Sequence, residues 1–122
     1  MSLPQSIRQL AAAYADQFIG IRRHLHAHPE LSYQEFETSA FVQEKLREMG
    51  IAFTIMAGTG VVGIIEGRDP ASRIVALRAD MDALPILEAN DIPYVSTRPG
   101  IMHACGHDVH TTCLLGAAKI LQ

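Results

Sequence analysis

Long apolar runs are missing from this chain of 122 residues. No stretch nears the roughly 18–20 consecutive apolar positions that a membrane-crossing helix needs. The first ten residues lack the basic-then-apolar order of a secretion signal. Cysteine is scarce: Cys105 and Cys113 are the only two. That excludes a disulfide scaffold and, without an export signal, points to thiols in a reducing cytoplasm. Positive charge is not in excess, since 10 Lys and Arg against 13 Asp and Glu leave a formal charge of -3. Neither nucleic acid nor a membrane surface is therefore an expected partner. The chain has no G-x-S-x-G string, which removes the usual serine-nucleophile elbow. A P-loop and a G-x-G-x-x-G turn are also absent, so nucleotide binding is not expected.

What remains is the composition of a globular protein, 48% hydrophobic and without repeats or low-complexity tracts. A chain of this length buries about two-thirds of its unfolded surface, enough for one core. Ile7, Leu10, Ala11, Tyr14, Phe18, Ile21 and Leu25 recur at three- and four-residue steps, which predicts a helix from Pro4 to about His28, stopped by Pro29. A second helix is expected from about Tyr33 to Met49, with Ser32 as N-cap, Phe36, Ala40, Phe41 and Leu46 on one face, and Gly50 after its end. Three short Val- and Ile-rich runs follow, at 51–56, 61–66 and 73–78, separated by Gly-containing turns. The first two read as a hairpin. The third, almost wholly apolar through Ile74-Val75-Ala76-Leu77, reads as a strand covered on both faces. Residues 79–108 read as mostly irregular. A last helix should start near Val109 with Asp108 as N-cap, and bury a stripe of Val109, Cys113, Ala117 and Leu121.

Three clusters carry polar chemistry. Asp80 and Asp82 follow the third apolar run directly, where open α/β sheets bind ligands. They suit a metal, or one of them could orient a metal ligand, but a lone D-x-D is weak, and solvated loop acids or an Asp80–Arg78 pair is the simpler reading. His103, Cys105, His107, Asp108 and His110 fall within eight residues ahead of a helix. Imidazole and thiolate are preferred zinc ligands, and this density favours metal binding over capping or solvent-facing histidines. Gly106 allows a sharp turn between two such ligands. His24, His26 and His28 form the third cluster, at a helix end that favours cationic histidine, and a structural role is expected for them. Cys113, on the apolar stripe, is expected in the core.

Four stretches match, in order, a family of metal-dependent amidohydrolases: Arg23–His26 with His28–Leu31, Leu77–Pro85, Arg98–His110 and Leu114–Ala118. The sequence resembles the hippurate hydrolase, N-acyl-amino-acid amidohydrolase and auxin-conjugate amidohydrolase group, which is related to zinc carboxypeptidases. The His-Ala-Cys-Gly-His-Asp string at 103–108 is its most specific element. The resemblance implies an α/β fold, part of a zinc-peptidase-like three-layer α/β/α architecture with a mixed sheet. It implies hydrolysis of the amide bond of N-acyl amino acids or similar peptide-like conjugates by metal-activated water. Two divalent metals, Zn, Mn, Co or Ni, would serve each active site.

By motif position Cys105 and His107 would be metal ligands, and Asp82 the acid that orients a ligand. Asp80, His103, Asp108 and His110 are further candidates, as supporting residues or alternative ligands. Members of the family are much longer, and homodimers. Residues 1–122 would then be the amino-terminal portion of the catalytic domain, without the dimerisation domain, the paired Glu that supplies a ligand and the general base, or the remaining His ligands. Such a portion should be inactive alone. The rival expectation is a non-catalytic module that binds metal weakly or associates with itself.

Overall fold

The computed structural model describes residues 1–122 and contains three helices and one two-stranded sheet. Helix α1 spans Leu3–Ala27, α2 Phe36–Glu48 and α3 His107–Leu121. Strands β1 (Ala52–Met56) and β2 (Gly60–Ile64) pair antiparallel, with Ala52 opposite Ile64 and Met56 opposite Gly60. Helix and strand thus mix as expected, and the hairpin forms where the Gly-rich turn suggested. Ala57 and Gly58 both take positive φ in that turn. A Cβ on Gly60 would sit 2.7 Å from the Met56 carbonyl oxygen, so the close return of the chain needs glycine there. No helix is long and apolar enough to cross a membrane.

Local chemistry explains most helix ends. Ser2 caps α1 in a capping box with Gln5, and Pro4 occupies the first turn. At the end of α2, Gly50 adopts a φ of 73°. Gly50 N donates to Arg47 O, and Ile51 N to Leu46 O at 2.9 Å. This satisfies two carbonyls that the helix leaves open.

The start of α2 differs from expectation. Ser32 is not its N-cap: Tyr33 takes a φ of 65°, and the helix begins only at Phe36, after Glu35. The buried carboxylate of Glu30 does the capping instead. It accepts from the backbone N–H groups of Glu37 and Thr38 and from the Thr38 hydroxyl. A longer acidic side chain reaching back from the preceding turn meets the orphan donors better than Ser32. The face of α2 turned inward is Thr38, Ser39, Val42 and Leu46, while Phe36 is exposed.

The predicted third strand is not formed. Residues 73–82 have no regular structure, and Ile74 is 93% exposed and Val75 74%. A strand needs a neighbour's backbone, and nothing else in the 122 residues pairs with this segment. Only two isolated bridges lie nearby, Leu31 with Ala83 and Leu84 with Met102.

Helix α3 is also rotated from its expected setting. Its buried residues are Asp108, Thr111, Thr112 and Leu115, not the 109/113/117/121 stripe. Cys113 is exposed and therefore not a core residue. Gly106, with a φ of 99°, and not Asp108, is the N-cap. The polar face buries because each group has a partner. Thr111 Oγ1 donates to Asp80 O, Thr112 Oγ1 to Asp108 O, and Asp108 pairs with α1. The apolar core is small: Ile21, Leu25, Val42, Leu46, Ile51 and Leu115 pack α1, α2 and α3 together.

Candidate functional site

The candidate site grows from the turn that leaves α1. Pro29 is fully buried, and the backbone of the Glu30–Leu31 segment carries the 80s loop beside it. Ala83 N donates to Glu30 O at 2.7 Å, and Leu31 bridges Ala83. This places Asp82 against Ser32, whose hydroxyl donates to Asp82 Oδ2 at 2.7 Å. The Ser32 hydroxyl, and after it the His107 ring, hold the Asp82 carboxyl below its ordinary range against the opposing effect of burial.

Asp82 meets the first residue of α3. Its Oδ1 lies 2.9 Å from His107 Nδ1, and its carbonyl oxygen 3.0 Å from the same nitrogen. Both partners only accept, so Nδ1 carries the proton and donates to them. With Nδ1 engaged as the donor, Nε2 is the ring nitrogen left to face a ligand. A ligating imidazole held by a carboxylate through its other nitrogen is the usual arrangement at metal sites. Cys105, two residues earlier, is exposed beside the glycine turn.

The other predicted residues are distributed around this pair. His110 is exposed, with its ring 5.8 Å from that of His107. Asp80 is exposed and bonded to Arg78 through Oδ1, with only its carbonyl tied to α3. His103 is buried, and neither ring nitrogen has a hydrogen-bond partner. Burial, reinforced by the nearby His26 and His107, pushes its pKa down, against the pull of Asp108 and Asp82. Burial thus favours the neutral imidazole, whose basic nitrogen has the chemistry of a metal donor.

Asp108 points the other way. Its Oδ2 takes Arg22 Nε at 3.0 Å and His26 Nδ1 at 2.8 Å, and its Oδ1 takes Val109 N. Its side chain is 1% exposed. His26 in turn reaches Glu88 Oε2 through Nε2 at 2.9 Å. Burial acts to raise the Glu88 pKa, but hydrogen bonds from His26, Asn90 and Ser96 N outweigh it and hold it at about 2. Ser32, Arg22, His26 and Glu88 are absent from the sequence-derived site. The histidine-rich end of α1 was a visible signal for His26, whereas Glu88 sits in an irregular stretch without a motif. His24 and His28 stack with their rings 4.3 Å apart, beside Phe41, and burial, with the His28 and Lys45 charges, pushes the His24 pKa down, against the cationic form expected at this helix end.

The donor set fits a divalent metal in chemistry but not in number. A thiol and an oriented imidazole are present two positions apart. No group of three or more His, Cys, Asp or Glu side chains converges on one point. A catalytic zinc takes about three protein ligands.

Residues 76–122 match the family model described as peptidase family M20/M25/M40. The chain is 57% identical over 107 residues to the N-acetyl-L-cysteine deacetylase of Bacillus subtilis, covering 87% of this chain and 26% of that protein. It is 50% identical to the N-acyl-L-amino acid amidohydrolase of Geobacillus stearothermophilus, covering 97% of this chain and 32% of that protein. Among solved structures it superposes with a TM-score of 0.86 and 44% identity on the Bacillus subtilis YXEP protein, described as a dinuclear metal binding peptidase from the M20 family. That match covers 90% of this chain and 31% of the other. The chain thus spans about a third or less of the length of these relatives.

Proposed function

From the premise that the chain belongs to peptidase family M20/M25/M40, we propose that it carries part of the metal site of a hydrolase that cleaves the amide bond of N-acyl amino acids or related conjugates. The observation that carries this reading is the Asp82–His107 hydrogen bond, which leaves His107 Nε2 free two residues from Cys105. In this reading Cys105 Sγ and His107 Nε2 hold a divalent metal. The bound metal supplies Lewis-acid polarisation of the scissile carbonyl and lowers the pKa of water towards about 7. Asp82 fixes the His107 tautomer, Ser32 fixes the Asp82 carboxylate, and Gly106 provides the turn between Cys105 and His107. His103, whose ring nitrogens have no hydrogen-bond partner, does not converge with Cys105 and His107 and stays outside this pair.

The names of the relatives support the substrate class, and the dinuclear neighbour supports a two-metal active site in the complete enzyme. Residues 1–122 then form the amino-terminal portion of a catalytic domain, and the complete enzyme is a homodimer. Alone, the 122 residues bring too few donors together to complete the site, and they do not turn over substrate. The test pairs metal binding with an assay of N-acyl amino acid hydrolysis in Mn, Co or Zn. Weak metal binding lost in Cys105→Ala and in His107→Ala, without turnover, is expected. Turnover by the purified chain that disappears in Cys105→Ala overturns the inactivity, and metal binding indifferent to both substitutions overturns the site.

A second reading has its own observation. Ile74, Val75 and Leu77 are exposed in an unpaired apolar segment, as suits a non-catalytic module that associates with itself. Sedimentation discriminates: a clean monomer removes this reading.

A further inference from the structure

Two clamps hold the turn that carries Cys105 and His107, and both trace back to one short stretch at the end of α1. On one side His107 is held by Asp82, which Ser32 and the Glu30 carbonyl fix in turn. On the other side Asp108 is held by Arg22 and His26. Successive residues of a helix point about 100° apart. Adjacent side chains thus fasten the first turn of α3 in two directions. The links on the Asp108 side span 86 and 82 residues of sequence, so they tie distant segments and not a local turn.

Resting on the metal reading above, we propose that Asp108, with Arg22 and His26 of α1, is a positioning group that sets where Cys105 and His107 stand relative to Asp82. Three observations support a role beyond packing. Both carboxylates bonded to His26 are almost completely buried, at 1% and 2% exposure of the side chain. Such an arrangement is costly unless fully paired, and hydrophobic residues would serve packing alone at least as well. Both carboxylate oxygens of Asp108 meet N–H donors, so its rotamer is fixed. The network also ends directly at the residue next to His107, not elsewhere along α3.

The test uses the 122-residue chain and cobalt(II) chloride, read by the near-ultraviolet thiolate-to-cobalt absorption, alongside urea unfolding. Asp108→Asn is expected to weaken cobalt binding by about 10–100-fold, as loss of a supporting partner does at other sites, while the absorption returns at saturating metal. Arg22→Met, at a partly exposed position, should weaken it in the same direction by a smaller factor. Glu35→Gln is the structural control: this buried carboxylate holds Thr59 and Tyr33 N near the hairpin. It should lower the urea midpoint and leave cobalt affinity within about twofold.

Cobalt affinity unchanged in Asp108→Asn, with only a lower urea midpoint, overturns the proposal. If Asp108→Asn does not fold, Arg22→Met decides it, and unchanged affinity there overturns it equally. Should the unaltered chain give no thiolate–cobalt absorption, or Cys105→Ser leave it intact, the metal reading itself fails and this inference falls with it.

Discussion

His107 and Asp82, 25 residues apart, are joined twice, by the Asp82 carboxylate at 2.9 Å and by its main-chain carbonyl at 3.0 Å from one ring nitrogen. The double contact fixes both the tautomer and the plane of the imidazole. It also couples the loop after residue 78 to the start of α3 without any regular structure between them. Because Asp82 is itself fastened by Ser32, the ring orientation depends on the turn that leaves α1.

Asp82→Ala should release that tautomer. Nitrogen-15 spectra of the unaltered chain should show His107 protonated at Nδ1, and those of the variant a mixture of tautomers. Metal affinity should fall by about 10–100-fold, since a ligating histidine loses its partner. An unchanged Nδ1-protonated spectrum in the variant would show that something other than Asp82 orients the ring.

Glu30→Ala removes three hydrogen bonds at the start of α2 and leaves the Glu37 and Thr38 N–H groups without a cap. The expected loss of stability is about 1–3 kcal/mol, the range for a lost cap with donors left unsatisfied. Urea unfolding measures it. Ser32→Ala, at the position the sequence nominated for the cap, should cost less because α2 does not use that hydroxyl. A larger loss in Ser32→Ala than in Glu30→Ala contradicts this assignment.

The acid limb of stability should depend on Glu88. Its carboxyl falls from the ordinary 4.5 to about 2 in the fold, so between those values the unfolded chain binds more protons. The stabilisation is complete above about pH 4.5 and disappears as pH falls towards 2. Glu30 and Asp82, also held below their ordinary values, act in the same direction. Urea midpoints between pH 7 and pH 2.5 should therefore fall less steeply in Glu88→Gln, which starts from lower stability at neutral pH. Parallel acid limbs in the two proteins would count against the Glu88–His26 bond.

The parts of this fold that were legible are those whose cause is local. Gly50 ends α2 and the 57–60 turn closes the hairpin because each conformation is decided within a few residues. The string carrying Cys105 and His107 stands out by residue type alone, whereas Asp82, in a D-x-D that is weak by itself, is singled out only by the family resemblance. What was not legible depends on distant partners. The 73–78 run has strand composition, yet a strand exists only where a neighbour supplies its ladder. The network of Arg22, His26, Glu88 and Asp108 joins positions 62 to 86 residues apart, with no spacing rule to reveal it. Ser32 looked like the cap because the rule favours a short side chain adjacent to the helix, while Glu30 reaches the same donors from further back.

Helix α3 gives the sharpest test of that distinction. Apolar periodicity assigns Cys113 to the core, but Asp108, Thr111, Thr112 and Leu115 occupy the inward face. Polar groups won because each found a hydrogen-bond partner, which apolar periodicity cannot register. Rotating α3 to bury Cys113 would break the Asp108 pairs and turn His107 away from Asp82. In the folded chain both thiols should therefore react with a disulfide reagent without denaturant, since Cys105 and Cys113 are both exposed. Cys105→Ser should retain one fast-reacting thiol. A Cys113 that reacts only in urea would place it in the core and require α3 to sit differently on α1.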